Sequence, residues 1–154
     1  MQIGQADLDD AGVRDLLRTH VRLARAATAV GSAHALDEAA LRTVDIEIWT
    51  IRDGEALLAI GALQRLSPDH GEIKSMHTVA SARRKGAGSA MLDHIVSVAR
   101  AHGMTRLSLE TGSWDYFLPA RALYRRQGFA ECGPFGSYVP DVNSIFMSLD
   151  LRRA

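Results

Sequence analysis

The sequence lacks the features that mark several specialised classes of protein. Its one cysteine, Cys132, excludes an internal disulfide and a cysteine-rich metal site. Its 18 basic residues balance its 18 acidic ones, so no overall charge draws it to nucleic acid or to an anionic membrane. No apolar run approaches the length of a membrane span, and the first residues lack the layout of a signal peptide. We therefore expect a cytoplasmic protein that binds neither nucleic acid nor membrane.

The histidines also fail to indicate a metal site. There are six of them, and none shows the paired spacing on one helix that metal binding favours. The sequence does contain enough apolar residues, 47% of 154, to form one substantial hydrophobic core but hardly two. We predict a single domain over residues 1–154 and no metal.

Hydrophobic periodicity and turn residues predict an α/β domain in the order helix–helix–strand–strand–strand–helix–strand–helix–strand–strand. The predicted helices cover residues 7–28, 37–43, 86–102 and 119–127, and the predicted strands cover 45–52, 55–66, 72–79, 106–111, 129–132 and 145–151. The dipeptide Asp53-Gly54 predicts a hairpin turn, and Gly61 predicts a bulge in its strand.

The most informative segment is the basic turn that joins the strand at 72–79 to the helix at 86–102. Its sequence is Arg83-Arg84-Lys85-Gly86-Ala87-Gly88-Ser89. A helix start presents unpaired backbone N–H groups and the positive end of the helix dipole, and both attract phosphate oxygens. The glycines let the backbone approach a ligand closely, and the basic side chains add cationic donors. The turn therefore predicts a pyrophosphate-binding site.

Known phosphate-binding loops match this turn to different degrees. In a P-loop the lysine follows the glycines, whereas Lys85 precedes them. A dinucleotide fingerprint needs a small residue where Met91 stands, and an early strand that leads into the loop. The turn resembles instead the acetyl-CoA loop of the GNAT superfamily of N-acetyltransferases, Arg/Gln-x-x-Gly-x-Gly/Ala, with Arg83, Gly86 and Gly88 at the matching positions.

A second segment strengthens the resemblance. The helix Ala120-x-x-x-Tyr124-x-x-x-Gly128-Phe129 is similar to the second GNAT signature, and the interval between the two segments leaves room for one helix and one strand, as in the family. One departure is Phe117, where family members often carry an asparagine. A side-chain hydrogen bond to the cofactor is therefore not expected from that position.

The resemblance implies a fold, a cofactor and a reaction. The implied fold is a mixed, mostly antiparallel twisted sheet of six to seven strands, splayed at the acetyl-CoA site and flanked by about four helices. The implied reaction moves an acetyl group from acetyl-CoA to a primary amine, of a small molecule or of a protein, by direct attack on the thioester. The alternative is a catalytically silent module that binds CoA in a regulatory role. Family members commonly pair their late strands between subunits, so a homodimer is expected by analogy.

The same resemblance assigns roles to particular residues. Tyr124 is expected to protonate the departing thiolate. Glu72 is either the general base, acting through a water, or a structural acid paired with Lys74. The residues expected to bind the cofactor are Met76, His77, Thr78, Arg83, Arg84, Lys85, Gly86, Ala87, Gly88, Ser89, Ala120 and Tyr124. Contacts to the acceptor substrate are expected from His34, Glu110, Trp114 and Tyr138.

Overall fold

The protein is built on one open, seven-stranded sheet with strand order β1-β2-β3-β4-β5-β7-β6, seen in a computed structural model that describes residues 1–43 and 45–152. The strands are β1 Gln2–Gln5, β2 Ile46–Asp53, β3 Ala56–Ser67, β4 His70–Thr78, β5 Arg106–Gly112, β6 Ala130–Cys132 and β7 Ser144–Asp150. The helices are α1 Ala11–Ala26, α2 Ala87–Ala101 and α3 Leu118–Arg126, with short 3-10 turns at Ala40–Arg42, Ala80–Ala82 and Asp115–Phe117. The mixed α/β sheet that the resemblance implies is confirmed.

Two predictions of secondary structure are wrong. The segment 37–43 forms only the 3-10 turn Ala40–Arg42, so the described residues hold three α-helices instead of four. The carboxylate of Glu38 accepts hydrogen bonds from Arg14 and Arg18, which ties this segment to α1. The strand β1 was not predicted, because all four of its residues are exposed and leave no apolar alternation in the sequence.

The helices pack on both faces of the sheet. Asp10 caps α1 by accepting hydrogen bonds from the backbone N–H groups of Gly12 and Val13. The apolar stripe of α1 covers one face of β2 and β3, where it meets Ile48, Ile60 and Ala62. Helices α2 and α3 cover the opposite face in the larger core cluster.

The sheet opens between β4 and β5, its one parallel pair among the described strands. Their pairing covers four positions and ends at Ile73 opposite Leu109. Beyond that point β4 continues to Thr78 and β5 to Gly112 without pairing to each other. The edges of both strands that face each other are therefore free of ladder hydrogen bonds over this stretch, which is the splay that the resemblance implies.

A bulge in β4 accompanies the splay. Lys74 pairs with Ala62 and His77 with Ile60, so that two residues of β4 lie opposite Gly61 of β3. The register shift lies at Gly61, but the extra residue belongs to β4, so the prediction of a bulge in the strand of Gly61 itself is wrong. A Cβ atom on Gly61 would lie 2.7 Å from Cγ of Met91 in α2, which explains why glycine is required there.

Candidate active site

A cavity of about 670 Å³ occupies the gap between β4 and β5. It is lined on one side by the C-terminal half of α1 and the loop that follows it, and on the other side by the first turn of α2 and by α3. Because α1 lies on one face of the sheet and α2 and α3 on the other, the cavity is bounded by elements from both faces.

Most of the residues predicted to form the site line this one cavity. They are His34, Glu72, Met76, His77, Thr78, Arg83, Arg84, Gly86, Ala87, Gly88, Ser89, Glu110, Ala120, Tyr124 and Tyr138. Lys85 and Trp114 are not in its wall. Lys85 is exposed, and the indole N–H of Trp114, a residue 44% exposed, donates to the side-chain carbonyl of Asn143.

The first turn of α2 is shaped to receive an anion. The residue at the helix start, Gly86, has φ of 84°, and no side chain caps the helix there. Arg84 is also left-handed, with φ of 66°, a conformation that costs a non-glycine residue of order 1–3 kcal/mol and clusters at ligand-binding sites. Among the described residues, the backbone N–H groups of Ala87, Gly88 and Ser89 have no protein acceptor. The turn thus presents free donors and two arginines to the cavity.

Gly88 and Ala120 keep the space between α2, β4 and α3 narrow but open. A Cβ atom on Gly88 would lie 3.2 Å from Cδ2 of Leu123 and 3.5 Å from the hydroxyl oxygen of Thr78. A larger residue at position 88 would therefore fill the passage that leads from the α2 turn toward Tyr124. Ala120 lies one turn before Tyr124 on α3 and lines the same cavity with its small side chain.

Tyr124 lies at the inner end of this passage. It is 6% exposed, and its ring packs against Phe129 at a centroid distance of 6.0 Å. Burial, reinforced by the negative charge of Glu110, raises the pKa of the Tyr124 hydroxyl well above its ordinary value. The hydroxyl therefore keeps its proton across the neutral pH range and is available as a donor.

Glu72 is held in a closed triangle with Lys74 and Tyr138. The Tyr138 hydroxyl donates to Oε2 of Glu72 at 2.5 Å, and the Lys74 ammonium lies 3.1 Å from the same oxygen. Lys74 also donates to the Tyr138 hydroxyl oxygen at 3.1 Å. The structure thus contains the ion pair that the sequence left open as one of two readings of Glu72. The triangle fastens the loop 133–143, which carries Tyr138, onto β4.

Glu110 has a different environment, although it lines the same cavity. The Ser144 hydroxyl donates to its Oε2 at 2.7 Å, and Oε1 has no partner among the described residues. Burial raises the pKa of Glu110 to about 7, partly opposed by the hydrogen bond from Ser144 and by the positive charge of Lys74. The carboxyl group therefore changes its charge near neutral pH.

A histidine pair in the cavity wall was not predicted from the sequence. Nδ1 of His20 on α1 lies 3.2 Å from Nδ1 of His77 on β4, so one ring donates and the other accepts. Burial, with a smaller contribution from His77, lowers the pKa of His20 to about 4, and both rings are neutral at pH 7. One signal was available: His20 lies four residues after Leu16 and four before Ala24, on the buried stripe of α1.

A buried arginine fixes the end of β5 and the turn after it. Nη1 of Arg121 donates to the carbonyl oxygens of Gly112 and Trp114, at 2.7 and 3.2 Å. The Phe117 ring packs directly on Gly112, where a Cβ atom would lie 2.1 Å from the ring. Phe117, at the position where the family often has asparagine, thus adds an apolar wall to the cavity and no hydrogen-bonding group.

Within the described ranges 1–43 and 45–152, no helix is long and apolar enough to cross a membrane. No group of three or more His, Cys, Asp or Glu side chains in the same residues is arranged to hold a metal ion.

Comparison with known proteins agrees with this geometry. Residues 17–129 match the acetyltransferase (GNAT) family. The chain is 43% identical to the uncharacterised N-acetyltransferase YsnE of Bacillus subtilis (strain 168), over 98% of this chain and 100% of that protein. It is 40% identical to the IAA acetyltransferase of Azospirillum brasilense, over 78% of each chain. A solved aminoglycoside 6'-N-acetyltransferase complexed with coenzyme A has the same fold, with a TM-score of 0.72 at 14% identity over 98% of this chain and 97% of that one. The protein is therefore a member of the GNAT family and an N-acetyltransferase.

Proposed function

We propose that the protein transfers an acetyl group from acetyl-CoA to a primary amine by direct attack of the amine on the thioester. The observation that carries this proposal is the continuity of the cavity. One space connects the free N–H groups at the start of α2 with the Tyr124 hydroxyl and with the carboxyl groups of Glu72 and Glu110. A phosphate-binding end, a buried proton donor and carboxylates for an amine are the groups that such a transfer needs.

The residues present fit coenzyme A. Its diphosphate would be held by the backbone N–H groups of Ala87, Gly88 and Ser89, with charge supplied by Arg83 and Arg84. Its pantetheine arm would lie along the unpaired edge of β4 at 76–78 and use the backbone groups that the splay leaves free. When bound, the cofactor supplies the acetyl thioester as an electrophile.

The chain's own groups then have three tasks. A backbone N–H of the unpaired part of β4 donates to the acetyl carbonyl oxygen as negative charge builds on it. The amine nitrogen bonds to the carbonyl carbon, and the carbon–sulfur bond breaks. Tyr124 gives its proton to the departing sulfur, and the second proton of the new amide nitrogen restores the phenol. One free amine and one thioester thus become one amide and one thiol.

We propose a small, cationic amine as the acceptor. Glu72 and Glu110 line the cavity from neighbouring strands, and the charge of Asp141 in the loop 133–143 also acts on Glu110. Against these three carboxyl groups, Lys74 is the one cation that influences Glu110 there. An excess of carboxylate groups over cationic groups favours an acceptor with an ammonium group over an anionic acceptor. The gap between the strands is also enclosed by aromatic side chains, which suits a small molecule better than a long basic peptide.

Release of free thiol from acetyl-CoA tests this function. Purified protein is incubated with acetyl-CoA and a panel of primary amines and amino-terminal peptides, and free CoA is measured with a thiol reagent. We expect amine-dependent thiol release by the wild-type protein, with cationic small molecules preferred over acidic ones. Saturable acetyl-CoA binding with no thiol release across the panel would contradict turnover and support the silent CoA-binding module.

Two further expectations accompany this function. We propose a cytoplasmic homodimer that forms through the late strands, since β6 is a short edge strand of the sheet. Light scattering coupled to size-exclusion chromatography measures the molar mass and so tests the dimer. Cell fractionation tests the cytoplasmic location.

A further inference from the structure

We propose that the carboxylate of Glu110, and not that of Glu72, takes the proton from the acceptor amine. The inference rests on the proposed acetyl transfer and names the residue that makes the amine nucleophilic. Position, available hydrogen-bonding capacity and electrostatic surroundings support it independently.

The position of Glu110 follows from the point at which the sheet opens. The last parallel pair joins Ile73 to Leu109, so Glu110 is the first residue of β5 beyond the pairing. On its other side, its backbone remains in register with Phe146 of β7, which holds the strand rigid. Side chains alternate along a strand, so Glu110 shares a face with Ser108, whose pairing partner on β4 is Glu72. The Glu110 carboxyl group therefore projects from the same face of the sheet as that of Glu72, at the point where β4 and β5 separate, and lines the cavity there.

The two carboxyl groups differ in what remains free to bind a substrate. Glu72 is 4% exposed, and its Oε2 receives both the Tyr138 hydroxyl and the Lys74 ammonium. A proton placed on Glu72 would disrupt a buried ion pair, which is strongly unfavourable. Glu110 accepts one hydrogen bond, from Ser144, and this bond fixes Oε2 while Oε1 stays available. Glu110 can therefore accept a proton without dismantling the wall of the cavity.

The charges around Glu110 suit a base that works near neutral pH. Its neighbours are Glu72 and Lys74 from β4, Tyr124 from α3, and Tyr138 and Asp141 from the loop 133–143. Burial is the largest influence and raises the pKa of Glu110 to about 7. A base with a pKa close to the working pH is a strong acceptor and is still ionised in a large part of the molecules. Glu110 and Tyr124 line the same cavity, so the proposed proton acceptor and the proposed proton donor face one space.

The proton balance is complete with these two residues. An acceptor that arrives as an ammonium ion carries three N–H bonds and leaves as an amide with one. The first proton goes to Glu110 before attack, and from there to solvent after the product has left. The second goes to the tyrosinate that forms when Tyr124 protonates the thiolate. Glu110 returns to its carboxylate and Tyr124 to its phenol.

The test compares Glu110→Gln with Glu72→Gln, which makes the same chemical change on the neighbouring strand. The readout is the pH dependence of kcat/KM for thiol release, from pH 5.5 to 9, with an alkylamine whose own pKa lies above 9.5. For the wild type we expect kcat/KM to rise about tenfold per pH unit below about pH 7 and to level above it. For Glu72→Gln we expect the same shape with the break at a lower pH, because the charge of Glu72 contributes to the raised pKa of Glu110. For Glu110→Gln we expect the break near pH 7 to disappear, so that kcat/KM follows the free-amine fraction and rises about tenfold per pH unit over the whole range, and the rate at pH 7 to fall by about 100-fold or more.

Calorimetric binding of acetyl-CoA controls for folding, since Glu110 lies away from the phosphate end and binding should persist in both variants. Glu110→Asp keeps a carboxylate but is shorter by one methylene. We expect its kcat/KM to level near pH 7 as in the wild type, at a lower plateau value. A break in kcat/KM near pH 7 that persists in Glu110→Gln, or that is lost only in Glu72→Gln, would overturn the inference. Absence of thiol release from the wild type with every amine would instead overturn the proposed function, so the two failures are distinguishable.

Discussion

Replacement of Glu110 by glutamine is expected to stabilise the protein at neutral and alkaline pH while it removes activity. The reason lies in the burial of a carboxylate with one hydrogen bond. Its pKa rises from an ordinary value of 4.5 to about 7 in the folded protein, which means that the folded state binds the proton more tightly than the unfolded chain does. The contribution of Glu110 to the free energy of unfolding is therefore fully present below about pH 4.5. It decreases as the pH rises from 4.5 to 7, and it stays reduced above pH 7. A glutamine at position 110 carries no charge and escapes this loss.

The expected size follows from the same pKa values. A rise from 4.5 to about 7 makes the ionised group about 3 kcal/mol less favourable in the folded state, at about 1.4 kcal/mol per pKa unit. The amide oxygen of glutamine can still accept the hydrogen bond from Ser144, but its NH₂ group must find new partners in the cavity. We therefore expect a net gain of about 2 kcal/mol at pH 8. For a domain of this size, that corresponds to a rise in Tm of about 4–8 °C.

Thermal unfolding by circular dichroism between pH 4 and pH 8.5 measures this gain. The control is Glu55→Gln, the same change at an exposed position in the β2–β3 turn, for which no difference in Tm is expected. The difference between Glu110→Gln and the wild type should shrink toward zero at pH 4, where both side chains are neutral. A variant less stable than the wild type at pH 8, or equally stabilised at pH 4 and pH 8, would refute the reasoning.

Three other substitutions test separate parts of the account. Tyr124→Phe is expected to lower the rate of thiol release by about 100-fold and to leave acetyl-CoA binding intact, because the ring still fills its place; loss of binding instead would refute a role as proton donor. Gly112→Ala places a Cβ atom 2.1 Å from the Phe117 ring and should lower the free energy of unfolding in urea by about 1–3 kcal/mol, whereas an unchanged midpoint would contradict the packing described. Lys74→Met leaves the buried Glu72 carboxylate without its cation and should cost about 3–5 kcal/mol at pH 8, most of which Lys74→Met combined with Glu72→Gln recovers; a double variant no more stable than the single one would argue against the ion pair.

The parts of the fold that the sequence predicts are those with strong local signals. The helix α2 begins with a glycine turn and carries a regular apolar stripe, and α3 ends before Gly128, so both were placed within a few residues of their observed bounds. The strand β1 has only exposed residues and is held by its backbone ladder to β2, which no pattern of side chains reveals. The segment 37–43 has helix-forming residues, but its contacts with α1 decide its conformation.

The residues of the candidate site also differ in how far their arrangement could be predicted from local sequence. The basic turn at 83–89 and Tyr124 lie within short motifs, so the glycines and basic residues of the turn and the resemblance to the two GNAT signatures were enough to single them out. The relation between Glu72 and Glu110 depends on where the pairing of β4 and β5 stops, and on Ser144, which lies 34 residues after Glu110. The pairing of His20 with His77 spans 57 residues. Such long-range contacts decide which carboxyl group is neutralised and which remains free, and a sequence does not specify them locally.

The central claim is that the backbone donors and arginines at the start of α2 hold the diphosphate of coenzyme A. Isothermal calorimetry with acetyl-CoA tests it most directly, with Arg84→Ala compared to Arg22→Ala, an exposed arginine of α1 that does not line the cavity. Alanine keeps the left-handed strain at position 84 and removes only the charge and its hydrogen bonds. We predict one-to-one binding to the wild type, about tenfold or more weaker binding to Arg84→Ala, and an unchanged affinity for Arg22→Ala. No binding to the wild type, or equal losses in both variants, would contradict the account.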